Sequence, residues 1–338
     1  MSVVFSIAVQ NPPSPECFVQ TLSEEIVDKN IEDMRDAVIV ICSDLAEGKD
    51  GSTWEPGYRY TFYISNLSTR GLEVTYEHDT LHVRLLTMSS VAEWDLALRM
   101  LELSADSPQR LVTNDWKPQK LTVAQLREIF HEEFVRDALV KQCARLFSDA
   151  MQHGREFQLD GPLMQFHFGP WLAHRISSGF PGDDSIEEIV NFTHDLMQVV
   201  QFFHCRFRDK NYGLPLLMDL PVDGTLYRAA VIGANDYFIP KVDYLVVPDS
   251  KTNLIALPCE EFKEELPKFF KEFDQLVWLD EHQFGLSNIN LDQLYRFGKA
   301  VAPLGFSVQS HQKHDGNWEL FPIQIFNLAN GEKFVPAW

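Results

Sequence analysis

Residues 69–101 read TRGLEVTYEHDTLHVRLLTMSSVAEWDLALRML, and the fold class turns on what this stretch forms. His78 and His82 lie four apart with Glu77 and Asp79 beside them, which invites a metal site. The alternation argues for something else. Leu72, Val74 and Tyr76 fall on one face of a strand, and Glu73, Thr75 and Glu77 on the other. After a polar His-Asp-Thr turn, Leu81, Val83 and Leu85 fall on one face, and His82 and Arg84 on the other. Period-two alternation on both sides of a short turn marks a β-hairpin with one buried face. His78 then sits in the turn and His82 on a strand, so the two imidazoles need not converge. Glu73 and Glu77 can meet His82 and Arg84 across the strands, each pair contributing about 0.2–1 kcal/mol.

A helix follows the hairpin. Ser90 stands three residues before Glu93, the spacing at which a hydroxyl and a carboxylate cap a helix start reciprocally. Trp94, Leu98 and Leu101 then recur at helical spacing. The stretch is therefore strand, turn, strand and capped helix, a packing unit. Together with the MSVVFSI start, it resembles a bacterial family known as a domain of unknown function. That family shows an Arg-Gly-aromatic-or-Leu-Glu start, a strand pair and a Ser-Ser, acidic-Trp helix opening. The resemblance covers about the first third of the chain. It implies a bacterial source and carries over no catalytic residue.

Working outward, SVVFSIAV, VIVICS and YRYTFYIS read as strands, with an acidic helix between the first two, from about Phe18 to Asp36. Thr122 and Gln125 repeat the capping spacing, and Leu126, Phe130, Phe134, Leu139, Cys143, Leu146 and Ala150 continue as one long helix or two with a bend. REFQLDGPLMQFHFG has Asp-Gly between apolar runs, a hairpin signal weakened by Pro162. Ser185 and Glu188 have cap spacing before a stripe of Ile186, Ile189, Thr193, Leu196, Val200, Phe203 and Phe207, which reads as packing surface. Further strands lie in TLYRAAVIGANDYFIPKVDYLVV. CEEFKEELPKFFKEF is amphipathic, with Pro267 kinking or breaking it. LDQLYRFGKAVAPLG is a short helix, and FSVQS with WELFPIQIF forms a closing hairpin. The expectation is an α+β protein of two α+β subdomains, with mainly antiparallel sheets and packed amphipathic helices, bounded as 1–154 and 155–338.

The 338 residues carry a formal charge of −20. Residues 1–150 hold 24 acids and 14 bases, residues 151–338 hold 25 and 15, so each part contributes −10. Spread over roughly 14,000 Å² of surface, this is far sparser than the phosphates of duplex DNA. No Lys/Arg patch with interleaved aromatics appears, which disfavours direct nucleic-acid binding. Five cysteines lie far apart without a Cys-x-x-Cys pair, so neither a disulfide framework nor a structural zinc site is expected. The start lacks a signal-peptide pattern and no apolar run is long enough for a membrane span. A reduced, soluble, cytoplasmic protein without a cofactor is the reading.

Nucleotide-binding and nucleophile-elbow motifs are absent, and His131-Glu132-Glu133 lacks the second histidine of a zinc-protease helix. HQKHDG brings His311, His314 and Asp315 together, a set that could bind a divalent metal or act as an acid/base pair in a hydrolase. Its place between two strands and its Asp-Gly end favour a solvated hairpin tip over such a site. His167, His174, His194 and His204 read as structural, and Cys205 and Cys259 as poor nucleophiles. Between Glu16 and Asp50 lie 10 acids and 3 bases. Asp28, Glu32 and Asp36 recur every four residues, with Asp33 close by. Like charges at that spacing cost a few tenths of a kcal/mol per pair, ~0.2–0.5, so this stripe is either a solvated face or a surface for a cationic partner. The functional expectation is an interaction module that binds a basic protein through this acidic face, as an inhibitor or immunity protein would. A hydrolase and a structural assembly subunit are the alternatives.

Overall fold

The computed structural model describes residues 2–27, 38–42, 53–116, 119–179, 186–203, 212–312, 318–322, 326–327 and 333–334. The protein is α+β. It divides into two compact units, Met1–Arg206 and Phe207–Trp338.

In the first unit the order is β1 (Val3–Ala8), α1 (Pro15–Val27), β2 (Val38–Cys42), β3 (Tyr60–Ile64), β4 (Leu72–Glu77), β5 (Thr80–Leu85), α2 (Val91–Ser104), β6 (Leu111–Asn114) and β7 (Leu121–Thr122). There follow α3 (Val123–Ile129), α4 (Glu132–His153), β8 (Phe157–Asp160), β9 (Gln165–Phe168), α5 (Pro170–Gly179) and α6 (Ile186–Gln201). β1–β7 form one antiparallel sheet in the order β2-β3-β4-β5-β1-β6-β7. The expected hairpin is β4–β5, with Glu73 opposite Arg84 and Thr75 opposite His82. Its two-residue turn holds His78 at φ 49 and Asp79 at φ 54. Left-handed geometry at both positions matches the twist of the flanking strands. Leu72, Val74, Leu81, Val83 and Leu85 are all fully buried, each worth about 1.5–3 kcal/mol of transfer free energy. α2 packs on β3 and β5 and touches α1, which packs on β2. Trp94 of α2 and Phe130 meet the Phe5 ring edge-on.

The α2 cap does more than cap. Ser90 Oγ accepts from the Glu93 amide, and the Glu93 carboxylate accepts from the Ser90 amide at 2.6 Å. The same carboxylate, fully buried, also accepts from the amides of Thr69 (3.1 Å), Arg70 (2.9 Å) and Gly71 and from the Thr69 hydroxyl (3.0 Å). One side chain thus ties the entry of β4 to the start of α2. Arg70 donates onward to the carbonyls of Thr87 and Asp160. Gly71 has φ +72, and a Cβ there would stand 2.8 Å from Thr61 Cγ2. The Arg70-Gly71 pair is structural in this chain.

The helical stretch from Thr122 to Gly154 is two helices. Thr122 caps α3 with Gln125. His131 caps α4, its Nδ1 accepting from the Phe134 amide at 3.3 Å, and Gly154 ends α4 in left-handed geometry. α4 packs on α2, α5 and α6, and α6 packs on β9. The position 154/155, expected as a domain boundary, therefore lies inside the first unit. The β8–β9 hairpin is clasped by Gln201 of α6. Its Oε1 accepts from the amides of Leu163 and Met164 and its Nε2 donates to the Met164 carbonyl. The buried face of α6 is Val190, Thr193, Met197 and Val200, while Ile186 stays exposed. The stripe is rotated from the expected one because neighbours on more than one side, α4, α5 and β9, choose the face. Ser185 and Phe207 lie outside the described residues.

The second unit holds β10 (Leu216–Val222), β11 (Thr225–Val231), β12 (Tyr237–Ile239), β13 (Tyr244–Pro248), β14 (Leu254–Pro258), α7 (Cys259–Phe269), β15 (Leu276–Trp278), β16 (Phe284–Leu286), α8 (Leu291–Val301), β17 (Phe306–Gln312) and β18 (Trp318–Pro322). β10-β11-β13-β14-β17-β18 form a sheet that is antiparallel except at β11–β13, and β12-β16-β15 form a second. Met218, Leu220, Ala229, Val246, Ala256 and Val308 make one core. Leu245, Val247, Ile255 and Leu257 alternate with these and point to the other face, and α7 and α8 pack on the same two strands, β13 and β14. α7 contains Pro267, whose ring removes the amide that would bond the carbonyl four residues back, and the helix ends two residues beyond it.

Candidate functional site

The sequence candidates fall in three groups. Asp28, Glu32, Asp33 and Asp36 lie outside the described residues, as do His314, Asp315, His204 and Cys205. His311 is on β17, opposite Glu319 of β18. The histidines of the opening stretch do not converge. His78 occupies the turn, and His82 Nδ1 lies 2.8 Å from Ser6 Oγ on the neighbouring strand. Thr75, and no carboxylate, stands opposite His82 on its other side. Glu73 takes Arg84 at 2.9 Å and Arg59 at 3.1 Å. Of the expected cross-strand pairs, Glu73–Arg84 is formed, while Glu77 stands opposite Thr80.

The remaining candidates differ in burial. Cys143 is buried beside Thr193, and burial pushes its thiol up to about 11. Burial also raises the Cys259 thiol, only partly offset by Lys263. His167 is buried on β9 with Glu156 at 3.7 Å, and His174 is exposed on α5. The His194 Nε2 is buried without a hydrogen-bond partner among the described residues, and desolvation pushes its pKa down to about 4.

That histidine yields a pH prediction. In the unfolded chain it takes a proton near its usual ~6.5, whereas in the fold it resists until about 4. Stability is therefore fully present above ~6.5 and is lost as the pH falls toward about 4, a loss on the order of 3 kcal/mol. His194→Leu should flatten the wild-type acid limb over that window in urea titrations at stepped pH. Parallel curves for the two proteins would refute it.

A cavity suited to a ligand runs along α4. It encloses about 710 Å³. Phe134, Ala138, Gln142 and Leu146 recur every four residues along one side of the helix, and Asp137, Lys141, Arg145 and Asp149 recur beside them. The core stripe, which adjoins this side, is Val135, Leu139, Cys143, Leu146, Phe147 and Ala150. Trp116, Phe157 and Leu159 complete the apolar lining. Trp116 stacks near Phe134 with ring centroids 5.4 Å apart. Gln142 is held by accepting from the Met88 amide at 2.8 Å. At the rim, Arg145 and Arg155 lie 4.0 and 3.8 Å from the same Asp149 oxygen. Lys141, also at the rim, forms no ion pair among the described residues.

Sequence reasoning passed over this groove, because the core stripe of α4 accounts for the helix by itself. The signal was present: Lys141 and Arg145 sit one turn apart in an acidic chain. Taken as a whole, this unit is acidic. Residues 1–206 hold 31 acids and 17 bases, a net −14, against 18 and 12, a net −6, in residues 207–338. Exposed acids in the first unit include Glu128, Glu132 and Glu133, and Glu187, Glu188 and Asp195 of α6. Arg136, the base within that α4 segment, already pairs with Glu132 at 2.8 Å.

Comparison of the chain with protein-family models, with curated proteins and with solved structures finds no match. Among the described residues, no helix is long and apolar enough to cross a membrane.

Proposed function

We propose that this chain is a protein-interaction module whose acidic first unit binds a basic protein partner. The observation that carries the reading is the net acidity of this unit: residues 1–206 hold −14 of the net −20. Support comes from the exposed carboxylates of α4 and α6, two helices packed on each other. A field of one sign speeds encounter with an oppositely charged partner by about 10- to 1,000-fold and weakens with salt.

The test uses the full chain as bait in a lysate of its own host at low and high ionic strength, with cross-linking. A basic protein should be retained at low salt, released at high salt, and cross-linked to carboxylate positions on α4 or α6. Replacing Glu132, Glu133, Glu187 and Glu188 together by glutamine should slow its association by about tenfold. A chain that retains no salt-sensitive partner, or a neutralised variant that associates at the wild-type rate, would refute the reading.

A further inference from the structure

We propose that the groove along α4 is a binding site for an amphipathic monocarboxylate, a molecule with one carboxylate and an apolar alkyl or aromatic body. This goes beyond the partner reading and rests on a different surface. Volume comes first: about 710 Å³ falls within the ~300–1,000 Å³ of small-molecule sites. The floor is apolar and largely aromatic, supplied by Trp116, Phe134, Leu146, Phe157 and Leu159. A ligand body resting there removes hydrocarbon from water at about 25 cal/mol per Å².

Charge selects the head group. Among the described residues the lining has three cations, Lys141, Arg145 and Arg155, and two acids, Asp137 and Asp149. That local excess of one positive charge stands in a unit whose net charge is −14. The background field repels anions, so an anion binds only where cations outnumber acids at close range. One excess charge matches a monoanion. A dianion would meet the two aspartates unbalanced, and a cationic amphiphile would meet the three bases. Lys141 is the unpaired donor, and the guanidiniums of Arg145 and Arg155 hold Asp149 only loosely, at 4.0 and 3.8 Å. Each has hydrogen-bonding capacity left for an incoming carboxylate, which accepts bidentate Arg contacts well. Fixed geometry favours the site as well, because Gln142 is held by Met88 and Trp116 by Phe130 and Phe134.

The test is calorimetric titration of the full chain with decanoate below its micellar range, with decyltrimethylammonium as the charge-reversed control. Decanoate should bind one-to-one and the cation should give no saturable heat at the same concentrations. Lys141→Gln with Arg145→Gln, both exposed positions, should weaken decanoate at least about fivefold, as expected for losing two rim ion pairs. Ala138→Trp, which fills the floor, should abolish binding. Thermal melts establish that each variant is folded, and the exposed double variant decides the matter if Ala138→Trp does not fold. Absence of decanoate binding, equal binding of the two amphiphiles, or a double variant that titrates as the wild type would each overturn the proposal. Loss of the protein partner in the pull-down would leave this result untouched, so the two readings fail separately.

Discussion

Glu93→Gln lowers the melting temperature by roughly 10 °C, more than any other single isosteric change expected in the first unit. Five donors converge on this fully buried carboxylate: the amides of Thr69, Arg70, Gly71 and Ser90, and the Thr69 hydroxyl. Glutamine keeps the shape but turns one acceptor oxygen into an NH₂ donor. Whichever way the amide is turned, it faces an amide hydrogen with a hydrogen of its own. A bond to a charged acceptor is worth about 1.5–3 kcal/mol, and a buried unsatisfied donor costs about 1–3 kcal/mol. Losing two such bonds gives about 4 kcal/mol, a large part of the ~5–15 kcal/mol that holds an ordinary domain together. Ser90→Ala provides the comparison, since it removes the cap alone and should cost about 1 kcal/mol. Denaturant titration of both variants separates cap from anchor. Equal losses in the two would show that the ties to residues 69–71 contribute nothing.

Gly298→Ala sets two effects of opposite sign against each other. In a helix interior, alanine is favoured over glycine by about 1 kcal/mol. Gly298 lies in α8, and a Cβ built there would stand 2.3 Å from the Pro248 carbonyl oxygen, 2.7 Å from its carbon and 2.9 Å from Asp249 Cα. These are backbone atoms at the end of β13, so no side-chain rotation relieves the overlap. α8 must lift from the sheet, withdrawing Leu294, Phe297 and Val301, all fully buried. Overpacking alone costs about 1–3 kcal/mol, and partial exposure of the helix face adds to it. Packing wins, with an expected net loss of about 3 kcal/mol, read as a lower urea midpoint at unchanged slope. A stabilised variant would show that α8 does not approach β13 so closely.

What local chemistry specifies was legible. The alternation in residues 72–85, the Ser90 and Thr122 caps and the stripe from Leu126 to Ala150 each involve residues within a few positions of one another. Their structures follow from side-chain spacing alone. The turn itself differs from the expected His-Asp-Thr: Thr80 joins β5, and the left-handed pair His78–Asp79 makes a two-residue loop. The ambiguity between one long helix and two was local as well, but its resolution depended on His131 acting as a cap, a role for which histidine gives little signal.

The amino-acid sequence by itself determined the α+β class, most of the elements, the acidity of both parts and the character of the opening hairpin. Only the tertiary structure decided how residues 155–206 join the first unit, which face of α6 is buried, what Glu93 holds besides its own helix, and that one side of α4 borders a cationic groove. The physical reason is distance along the chain. Arg70 meets Asp160 across 90 residues and Gln201 meets Leu163 across 38. Local periodicity shows that a helix has an apolar face. It does not show which distant segment covers that face, or what a second face of the same helix is left to bind.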